Sequence, residues 1–459
     1  MGSLGGRIFK SGGWAPLRIA ANQMSETAES AGNWRGVLAH AELTDVGLRR
    51  ANNQDSLAIA LAGDQQDWQR RGHLFMVADG MGAHAAGELA SKIACESIPH
   101  TYRKLLDRAP SDALQQAMVM ANASIHERGQ ANAEFQGMGT TCSALVLLPT
   151  TAIVAHIGDS RVYRLRSNKF EQLTFDHSLV WEMMKAGQMP QGEVASFIPK
   201  NIITRSLGPH ADAQIDLEGP FPLAAGDRFL LCSDGLTGQL KDDELGAILS
   251  ALQPQDAVRA LVDIANLRGG PDNITAVVVE LVSVPVEQSQ QPEPIAIAND
   301  AGSSAHPAVW ILMAVFLLIA MGLTVTGRMI GALVSGLLAG VMLVVALVQN
   351  MLKAQLPGEL NSDRPLGSGP HAACDGAPNA ERAAVLCQMA QQLRDAAKEE
   401  HWTLAWGRFN AHGEQAQMAI AARDFTKAMR EYALAISFMM SEIRRQPARK
   451  GRDRSVLDL

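Results

Sequence analysis

Three apolar segments of this chain are each joined to an aspartate that has a glycine or an asparagine beside it. The three junctions are Ala78-Asp79-Gly80, Ser233-Asp234-Gly235 and Asp272-Asn273-Ile274. If the segments are strands, three carboxylates can meet at neighbouring strand ends, where they repel one another unless a cation neutralises them. Hard oxygen ligands with room for water suit Mg²⁺ or Mn²⁺. For any single Asp-Gly the alternative is an ordinary turn after a strand, because this dipeptide is common in turns.

Size and composition exclude several classes of protein. A chain of 459 residues is too long for one compact core, so two or three domains are expected. The formal net charge of -7 argues against a nucleic-acid ligand. The five cysteines are odd in number and show no Cys-x-x-Cys spacing, which is typical of reduced thiols in the cytosol.

Residues 39–282 and 307–350 differ in pattern. The first range alternates short β-branched runs with longer helical stretches, which predicts a mixed α and β domain. The second range is almost continuously apolar and is broken at Gly327-Arg328, which predicts a hairpin of two transmembrane helices of about 20 residues each. Small residues four apart favour close packing within the hairpin, with a dimer seam as the alternative. A hairpin returns the chain to its starting side, so we expect a multi-pass protein of the cell inner membrane with both flanking domains in the cytoplasm.

The remaining ranges are shorter. Residues 380–446 predict a small all-α domain, in which the surroundings of Tyr432 resemble one tetratricopeptide-type helix pair. A single repeat leaves a plain helical bundle and a peptide-binding repeat both open. The basic tail is expected to be a solvated, disordered segment, with contact to anionic lipid as the alternative. A lead-in, two linkers and this tail are predicted at residues 1–38, 283–306, 351–379 and 447–459.

Seven short motifs follow one another through the mixed domain. In order they are Thr44-Asp45-Val46-Gly47 with Arg50, Asn53 and Asp55; Val77-Ala78-Asp79-Gly80-Met81-Gly82; Gly137-Met138-Gly139-Thr140-Thr141; Gly158-Asp159-Ser160-Arg161; Asp176-His177-Ser178; Ser233-Asp234-Gly235-Leu236; and Gly270-Pro271-Asp272-Asn273-Ile274-Thr275. In this order and spacing the series resembles the metal-dependent serine/threonine protein phosphatases, the type 2C family, in their bacterial form. The resemblance covers roughly Ala39 to Leu281, and neither the apolar hairpin nor the C-terminal helices belong to it.

The resemblance implies an α+β fold, a four-layer α-β-β-α sandwich of two antiparallel sheets with flanking helices. In this chain the sandwich is expected to be followed by the transmembrane helical hairpin and the small all-α C-terminal domain. The family also implies a centre of two Mg²⁺ or Mn²⁺ ions, with a third as an option. By this resemblance Asp79 bridges both ions, the Gly80 carbonyl completes one coordination shell, and Asp234 and Asp272 bind the other ion.

Further residues match the family's substrate-binding and supporting positions. Arg50 matches the residue that grips the phosphate, a role that suits the planar fork of a guanidinium. Asp159 matches a ligand of the third ion. Asp45, Asp55 and Asn273 match positions behind the ligands, where carboxylates hold metal-bound waters. The alternatives are a surface ion pair for Arg50 and turn or capping roles for the aspartates.

Two histidines lie near these motifs. His84 follows the Asp79 motif closely, where an imidazole could protonate the leaving alkoxide, but a lone histidine in a loop favours a structural role. His177 and Ser178 precede a helical stretch, and we expect them to serve as a packing group and an N-cap.

The activity implied by the resemblance is hydrolysis of phosphoserine and phosphothreonine in proteins, with a metal-bound hydroxide as the nucleophile. The expected partners are phosphorylated proteins, a bacterial Ser/Thr kinase that the enzyme opposes, and a protein that binds the C-terminal helices. Two departures from the family bear on activity, because Gln54 stands where a glutamate is common and Gly238 where a further aspartate is frequent. The alternative is therefore a catalytically weak phosphoprotein-binding scaffold that acts through the C-terminal helices.

Overall fold

The computed structural model of the chain describes residues 37–82, 85–186, 202–284, 307–354, 366–402 and 404–445. The chain forms two compact units: one contains Met1–Pro285 together with Ser362–Leu459, and the other is Val286–Asn361. His84 and the predicted basic tail lie outside the described residues, as do most of the lead-in and of the linker after residue 282.

Two antiparallel sheets form the centre of the first unit. One sheet has the strand order β1-β11-β10-β7-β8-β12, and the other has the order β2-β3-β5-β6-β9 with β4 paired to β3. The strands are β1 Leu38–Asp45, β2 Asp55–Ala60, β3 His73–Met81, β4 Gly139–Thr140, β5 Cys142–Leu147, β6 Thr151–Ile157, β7 Arg161–Arg166, β8 Lys169–Gln172, β9 Asp216–Pro222, β10 Arg228–Cys232, β11 Ile274–Leu281 and β12 Ala372–Asp375.

The described helices cover the outer faces of these sheets or follow them in the chain. They are α1 Gln65–Arg71, α2 Ala86–Lys104, α3 Pro110–Ala131, α4 Leu179–Lys185, α5 Asp234–Thr237, α6 Asp242–Ala251, α7 Pro254–Leu267, α8 Pro307–Val325, α9 Met329–Ala354, α10 Ala380–Glu399, α11 Trp406–Ala421 and α12 Phe425–Arg445. Helices α2 and α3 pack beside the sheet of β2 and β3, whereas α7 packs on β1 and β11.

The central strands are continuously apolar because they are buried on both faces. On β3, Phe75 and Val77 point into the core between the sheets, while Met76 and Ala78 point into the core beneath α2 and α3. Side chains alternate along a strand, so a strand in an inner layer needs apolar residues at every position. This arrangement confirms the expected antiparallel sheets with flanking helices.

The C-terminal segment is part of the first unit. Strand β12 pairs antiparallel with β8, with Cys374 opposite Phe170. Helix α12 packs against α6 and α7, and α10 and α11 pack against α12. The apolar residues of these three helices, such as Leu386 and Ile436, belong to the same core cluster as Leu261 of α7. The C-terminal helices therefore complete the outer layer over one sheet.

The second unit contains α8 and α9, which lie side by side. The chain reverses near Gly327, whose positive φ of 73° favours glycine. A Cβ atom added at Gly331 would lie 3.1 Å from Leu323 Cδ1, so the two helices approach closely at this position.

The prediction that these two helices cross a membrane is wrong. Within the described ranges, no helix combines the length and the apolar character that crossing a bilayer requires. The predicted multi-pass localisation in the inner membrane is wrong for the same reason.

Candidate active site

The first pair of candidate carboxylates lies at one end of β2 and β3. In the antiparallel register of these strands, Asp55 stands opposite Asp79. The backbone of Asp79 is held by Thr141, whose hydroxyl accepts from the Asp79 amide at 2.9 Å and whose amide donates to the Asp79 carbonyl at 2.8 Å. Gly80 follows, and a Cβ atom added there would lie 2.1 Å from the Gly87 carbonyl oxygen. Only glycine fits this position.

The second pair lies at one end of β10 and β11. Asp234 opens α5, one residue after β10 ends at Cys232, and one residue, Asn273, separates Asp272 from the start of β11. The two strands are antiparallel, and the Ser233 amide donates to the Thr275 carbonyl at 3.1 Å. The end of one strand therefore meets the beginning of the other, which brings both aspartates to the same edge of the sheet.

Asp55 joins the two sheets at this edge. Its Oδ2 atom accepts hydrogen bonds from the Ser233 and Thr275 hydroxyls, both at 2.7 Å. Its Oδ1 atom is buried and has no hydrogen-bond partner among the described residues. Because Ser233 and Thr275 belong to the other sheet, these bonds bring Asp55 and Asp79 near Asp234.

The carboxylates at this edge act on one another electrostatically. Burial raises the pKa of Asp79 well above its usual value, and the charges of Asp55 and Asp234 raise it further. Burial also raises the pKa of Asp159 to about 8, with the charge of Asp234 acting in the same direction. The pKa of Asp234 is raised by burial and then by the charge of Asp272. A cation placed among these groups would remove the cost of their mutual repulsion.

The donor set fits hard divalent cations. Asp159 Oδ1 and Asp234 Oδ1 are buried without a hydrogen-bond partner in the described part of the chain. Over the same residues, no three His, Cys, Asp or Glu side chains stand close enough to enclose one ion. Mg²⁺ does not require such an enclosure, because it keeps several waters and binds to proteins through one or two carboxylates. These carboxylates are therefore candidate ligands of a hydrated divalent cation.

Arg50 lies beside the acidic group. Its Nη2 atom donates to Asp272 Oδ2 at 2.6 Å, and half of its side chain is exposed. The hydrogen bond to Asp272 raises the pKa of Arg50, and the charges of Asp79 and Asp234 act in the same direction. Arg50 is therefore a cation within reach of both groups of aspartates and of the solvent.

Asp45 and Asn273 hold the loops that carry these residues. Asp45 Oδ1 accepts from the Gly47 amide at 2.8 Å and from Asn266 Nδ2 at 3.2 Å. The Asn273 side chain accepts from the Gln54 amide at 2.8 Å. Gly47 has a φ of 74°, and a Cβ atom added there would lie 2.0 Å from the Asp272 carbonyl oxygen. Asp45 thus contacts a turn, which is the role given above as the alternative to holding a metal-bound water.

The two departures from the family pattern lie in the same region. The Gln54 carbonyl accepts from the Gly80 amide at 3.1 Å and from the Ser91 hydroxyl at 2.6 Å. Gly238 ends α5, where its amide donates to the Asp234 carbonyl at 2.7 Å. Both residues therefore support the backbone around the aspartates.

His177 has a position that sequence reasoning missed. Its Nδ1 atom accepts from the Gly158 amide at 3.0 Å, and its Nε2 atom lies 2.9 Å from Asp216 Oδ2. Burial lowers the pKa of His177, which favours the neutral ring that these two contacts require. The histidine thereby fixes the backbone beside Asp159, and Ser178 takes the N-cap position of α4. The pairing with Asp216 has no local sequence signal.

Comparison with known proteins gives matches over the same part of the chain. A sequence model of the Protein phosphatase 2C family matches residues 49–264. Protein phosphatase PhpP of Streptococcus pneumoniae is 38% identical over 244 residues, which are 52% of this chain and 96% of PhpP. Serine/threonine protein phosphatase PstP of Mycobacterium tuberculosis is 34% identical over 261 residues, which are 55% of this chain and 47% of PstP.

A solved structure of the catalytic domain of PstP in complex with two manganese ions is also similar. The match covers 54% of this chain and 99% of that domain, with 32% identity and a TM-score of 0.45. The identity to PhpP over nearly its whole length is what shows the family. The chain therefore belongs to the protein phosphatase 2C family and is a metal-dependent protein-serine/threonine phosphatase.

Proposed function

We propose that residues 39–282 hydrolyse phosphoserine and phosphothreonine in proteins at the acidic edge described above. The observation that carries this proposal is the gathering of Asp79, Asp159, Asp234 and Asp272 within electrostatic range of one another, beside the half-exposed Arg50. A group of carboxylates with unpartnered buried oxygens is costly to a folded protein unless it binds cations.

The metal centre is proposed to hold two Mg²⁺ or Mn²⁺ ions. Asp79 and the Gly80 carbonyl would bind the ion or ions nearest β3, and Asp234 and Asp272 would bind the neighbouring ion. Asp159, whose Oδ1 atom is unpartnered in the described structure, would add a weaker third position. When bound, such ions neutralise phosphate charge and lower the pKa of water towards neutrality.

The protein's own residues would then orient the reactants. Arg50 would bind two phosphate oxygens with its guanidinium fork, which aligns the phosphorus with the acidic edge. Asp55 is fixed by two hydroxyl donors and has one free buried oxygen in the described structure, so it can accept a hydrogen bond from water. Asp45 and Asn273 would keep the Arg50 and Asp272 loops in place.

The proposed substrates are phosphoproteins made by Ser/Thr protein kinases. PhpP and PstP, the similar proteins, are named as protein phosphatases. The Arg50 side chain is 50% exposed and that of Asp272 is 28% exposed, so a phosphorylated side chain on a protein surface can reach them. Phosphorylation of serine or threonine by an opposing protein kinase must supply such a substrate.

The test is a phosphatase assay of the full chain with phosphoserine, phosphothreonine and phosphotyrosine peptides over a range of Mn²⁺ and Mg²⁺ concentrations. We expect metal-dependent phosphate release from the first two peptides and loss of release in Asp79→Asn and Asp234→Asn. Absence of turnover at every metal concentration, with phosphopeptide binding retained, would favour the scaffold alternative.

A further inference from the structure

The C-terminal helices contact the mixed domain next to the candidate site. They lie outside residues 49–264, the range that the family model matches. Helix α12 packs on α7, and α7 packs on β1 and β11, the strands that lead to Asp45 and from Asp272. The added helices are therefore separated from two loops of the site by a single helix.

One ion pair joins α12 to α7. Arg444 Nη2 lies 2.6 Å from Asp263 Oδ1; the Asp263 side chain is fully buried and that of Arg444 is 19% exposed. Removing one partner of a buried charge pair strongly destabilises a protein, because the other charge stays buried without compensation. The docking of α12 on α7 therefore depends on this contact.

The end of α7 is in turn connected to both site loops. One turn after Asp263, the Asn266 side chain donates to Asp45 Oδ1 at 3.2 Å. The Gly270 amide donates to the Ala265 carbonyl at 3.1 Å, and the Gly270 carbonyl accepts from the Leu48 amide at 2.8 Å. A displacement of α7 therefore moves the loop before Asp272 and the loop before Arg50 together.

These two loops end at Arg50 and Asp272, and Arg50 Nη2 donates to Asp272 Oδ2 at 2.6 Å. The charge of Asp45 also raises the pKa of Asp263, which places the two carboxylates within electrostatic range across α7. An unbroken series of short contacts thus runs from Arg444 to Arg50. Coupling between distant positions requires such packed and hydrogen-bonded elements, although contiguity alone does not measure it.

We propose that Arg444 and Asp263 are positioning residues for the phosphatase reaction: docking of α12 on α7 sets the placement of Arg50 and Asp272, and so the affinity for phosphate and for the divalent ion. This inference rests on the proposed function, since it assigns a role to the C-terminal helices at that same site. Neither residue touches the substrate. The C-terminal segment is then a working part of the enzyme.

The experiment compares Arg444→Gln with Arg445→Gln in the full chain. Arg445 is the matched control, because it is the next residue of α12, is paired with Glu442 and is 77% exposed. The measurements are the inhibition constant of inorganic phosphate, Mn²⁺ affinity by calorimetry, kcat, KM and thermal stability. We expect Arg444→Gln to weaken phosphate and Mn²⁺ binding by about threefold to tenfold, and Arg445→Gln to leave both within about twofold.

A double-mutant cycle with Asn266→Ala tests the route. If the contact series transmits the effect, the changes in phosphate affinity caused by Arg444→Gln and Asn266→Ala are less than additive, whereas independent sites add. Additive changes, or a lower melting temperature with unchanged phosphate and Mn²⁺ affinities, would overturn the proposal. Where Arg444→Gln does not fold, Arg444→Lys replaces it. This variant keeps the charge, so we expect a smaller loss of affinity for phosphate and Mn²⁺.

The failure of this inference differs from the failure of the proposed function. If the unmodified chain releases no phosphate, the proposed function fails. If it is active and Arg444→Gln behaves like Arg445→Gln, only the positioning role fails.

Discussion

The two ends of strand β10 place carboxylates in opposite surroundings. Before its start, the fully buried Asp227 accepts hydrogen bonds from Arg166 at 2.7 and 2.6 Å and from the Ala224 amide at 2.8 Å. After its end, Asp234 has a buried Oδ1 atom without a hydrogen-bond partner in the described ranges, and the charge of Asp272 raises its pKa. Both oxygens of Asp227 therefore have hydrogen-bond donors, whereas one buried oxygen of Asp234 has none in the described ranges.

This difference separates carboxylates that hold the fold from carboxylates that are proposed to bind metal. Two glutamates also have an arginine partner, in the pairs Arg164–Glu171 and Arg268–Glu244. A carboxylate with a bidentate arginine partner stabilises the fold, whereas a cluster of acids lowers the stability of the metal-free protein. In the proposed function, a cation bound at the acidic edge would supply the missing charge.

The largest expected effect comes from neutralising the acidic edge. Asp79→Asn should lower kcat/KM by about a thousandfold, because a carboxylate at the proposed metal centre is lost. The same change should raise the melting temperature in metal-free buffer, since one of the repelling acids is removed. Enzyme assays and calorimetry on the purified chain measure the two effects.

The matched control is Asp227→Asn at the other end of β10. It should lower the free energy of unfolding by about 2 kcal/mol, because Arg166 loses a charged acceptor, and leave kcat/KM nearly unchanged. If Asp79→Asn destabilised the metal-free protein as much as Asp227→Asn does, the distinction between the two ends would be wrong.

The second effect concerns Arg50. Arg50→Lys keeps the charge but loses the planar fork, so we expect KM for a phosphopeptide to rise and kcat/KM to fall by about tenfold to a hundredfold. Arg166→Lys makes the same change at the structural pair and should affect stability alone. Equal losses of activity in both variants would show that Arg50 has no special role.

Sequence reasoning took the two antiparallel sheets from the family resemblance and predicted from the apolar runs that Asp79, Asp234 and Asp272 lie near strand ends. Apolar runs define strands, and the first polar residue after a run marks a strand end. It missed the His177–Asp216 contact because nothing local links those residues.

The docking of the C-terminal helices could not be predicted either. The sequence predicted a small all-α domain at residues 380–446 and did not indicate that Leu386 and Ile436 share a core with Leu261 of α7. The amphipathic pattern of α12 shows that a face is buried and does not show against which partner. The buried Asp263 and the basic Arg444 become a pair only when the fold brings them together.

The third effect is the stabilisation of the chain by metal. Members of this family depend on Mg²⁺ or Mn²⁺. At a Mn²⁺ concentration a hundredfold above the dissociation constant, ligand linkage should add about 2.7 kcal/mol to the free energy of unfolding. The gain should vanish in Asp234→Asn and persist in Asp227→Asn. A Mn²⁺ shift that both variants keep would place the ion away from the acidic edge.

The smallest expected effect concerns Asp263, a carboxylate that is paired with Arg444 and still has a raised pKa. Burial raises the pKa of Asp263 to about 6, against the opposing influence of Arg444 and the Ser437 hydroxyl, and the charge of Asp45 adds to the rise. Because the folded pKa exceeds that of the unfolded chain, the folded state holds the proton longer as pH rises. This group's contribution to stability therefore declines between pH 5 and 7, by about 1 kcal/mol.

Asp263→Asn should remove that part of the pH dependence. Denaturant unfolding of both proteins at pH 5, 6 and 7 measures it, and the difference between them should shrink as pH rises because only the unmodified chain loses stability through this group. Asp227→Asn is the control, since Asp227 lies at the other end of β10 from the acidic edge. A parallel pH dependence in Asp263→Asn and the unmodified chain would mean that Arg444 holds Asp263 ionised throughout, which would place this residue with the fully satisfied carboxylates such as Asp227.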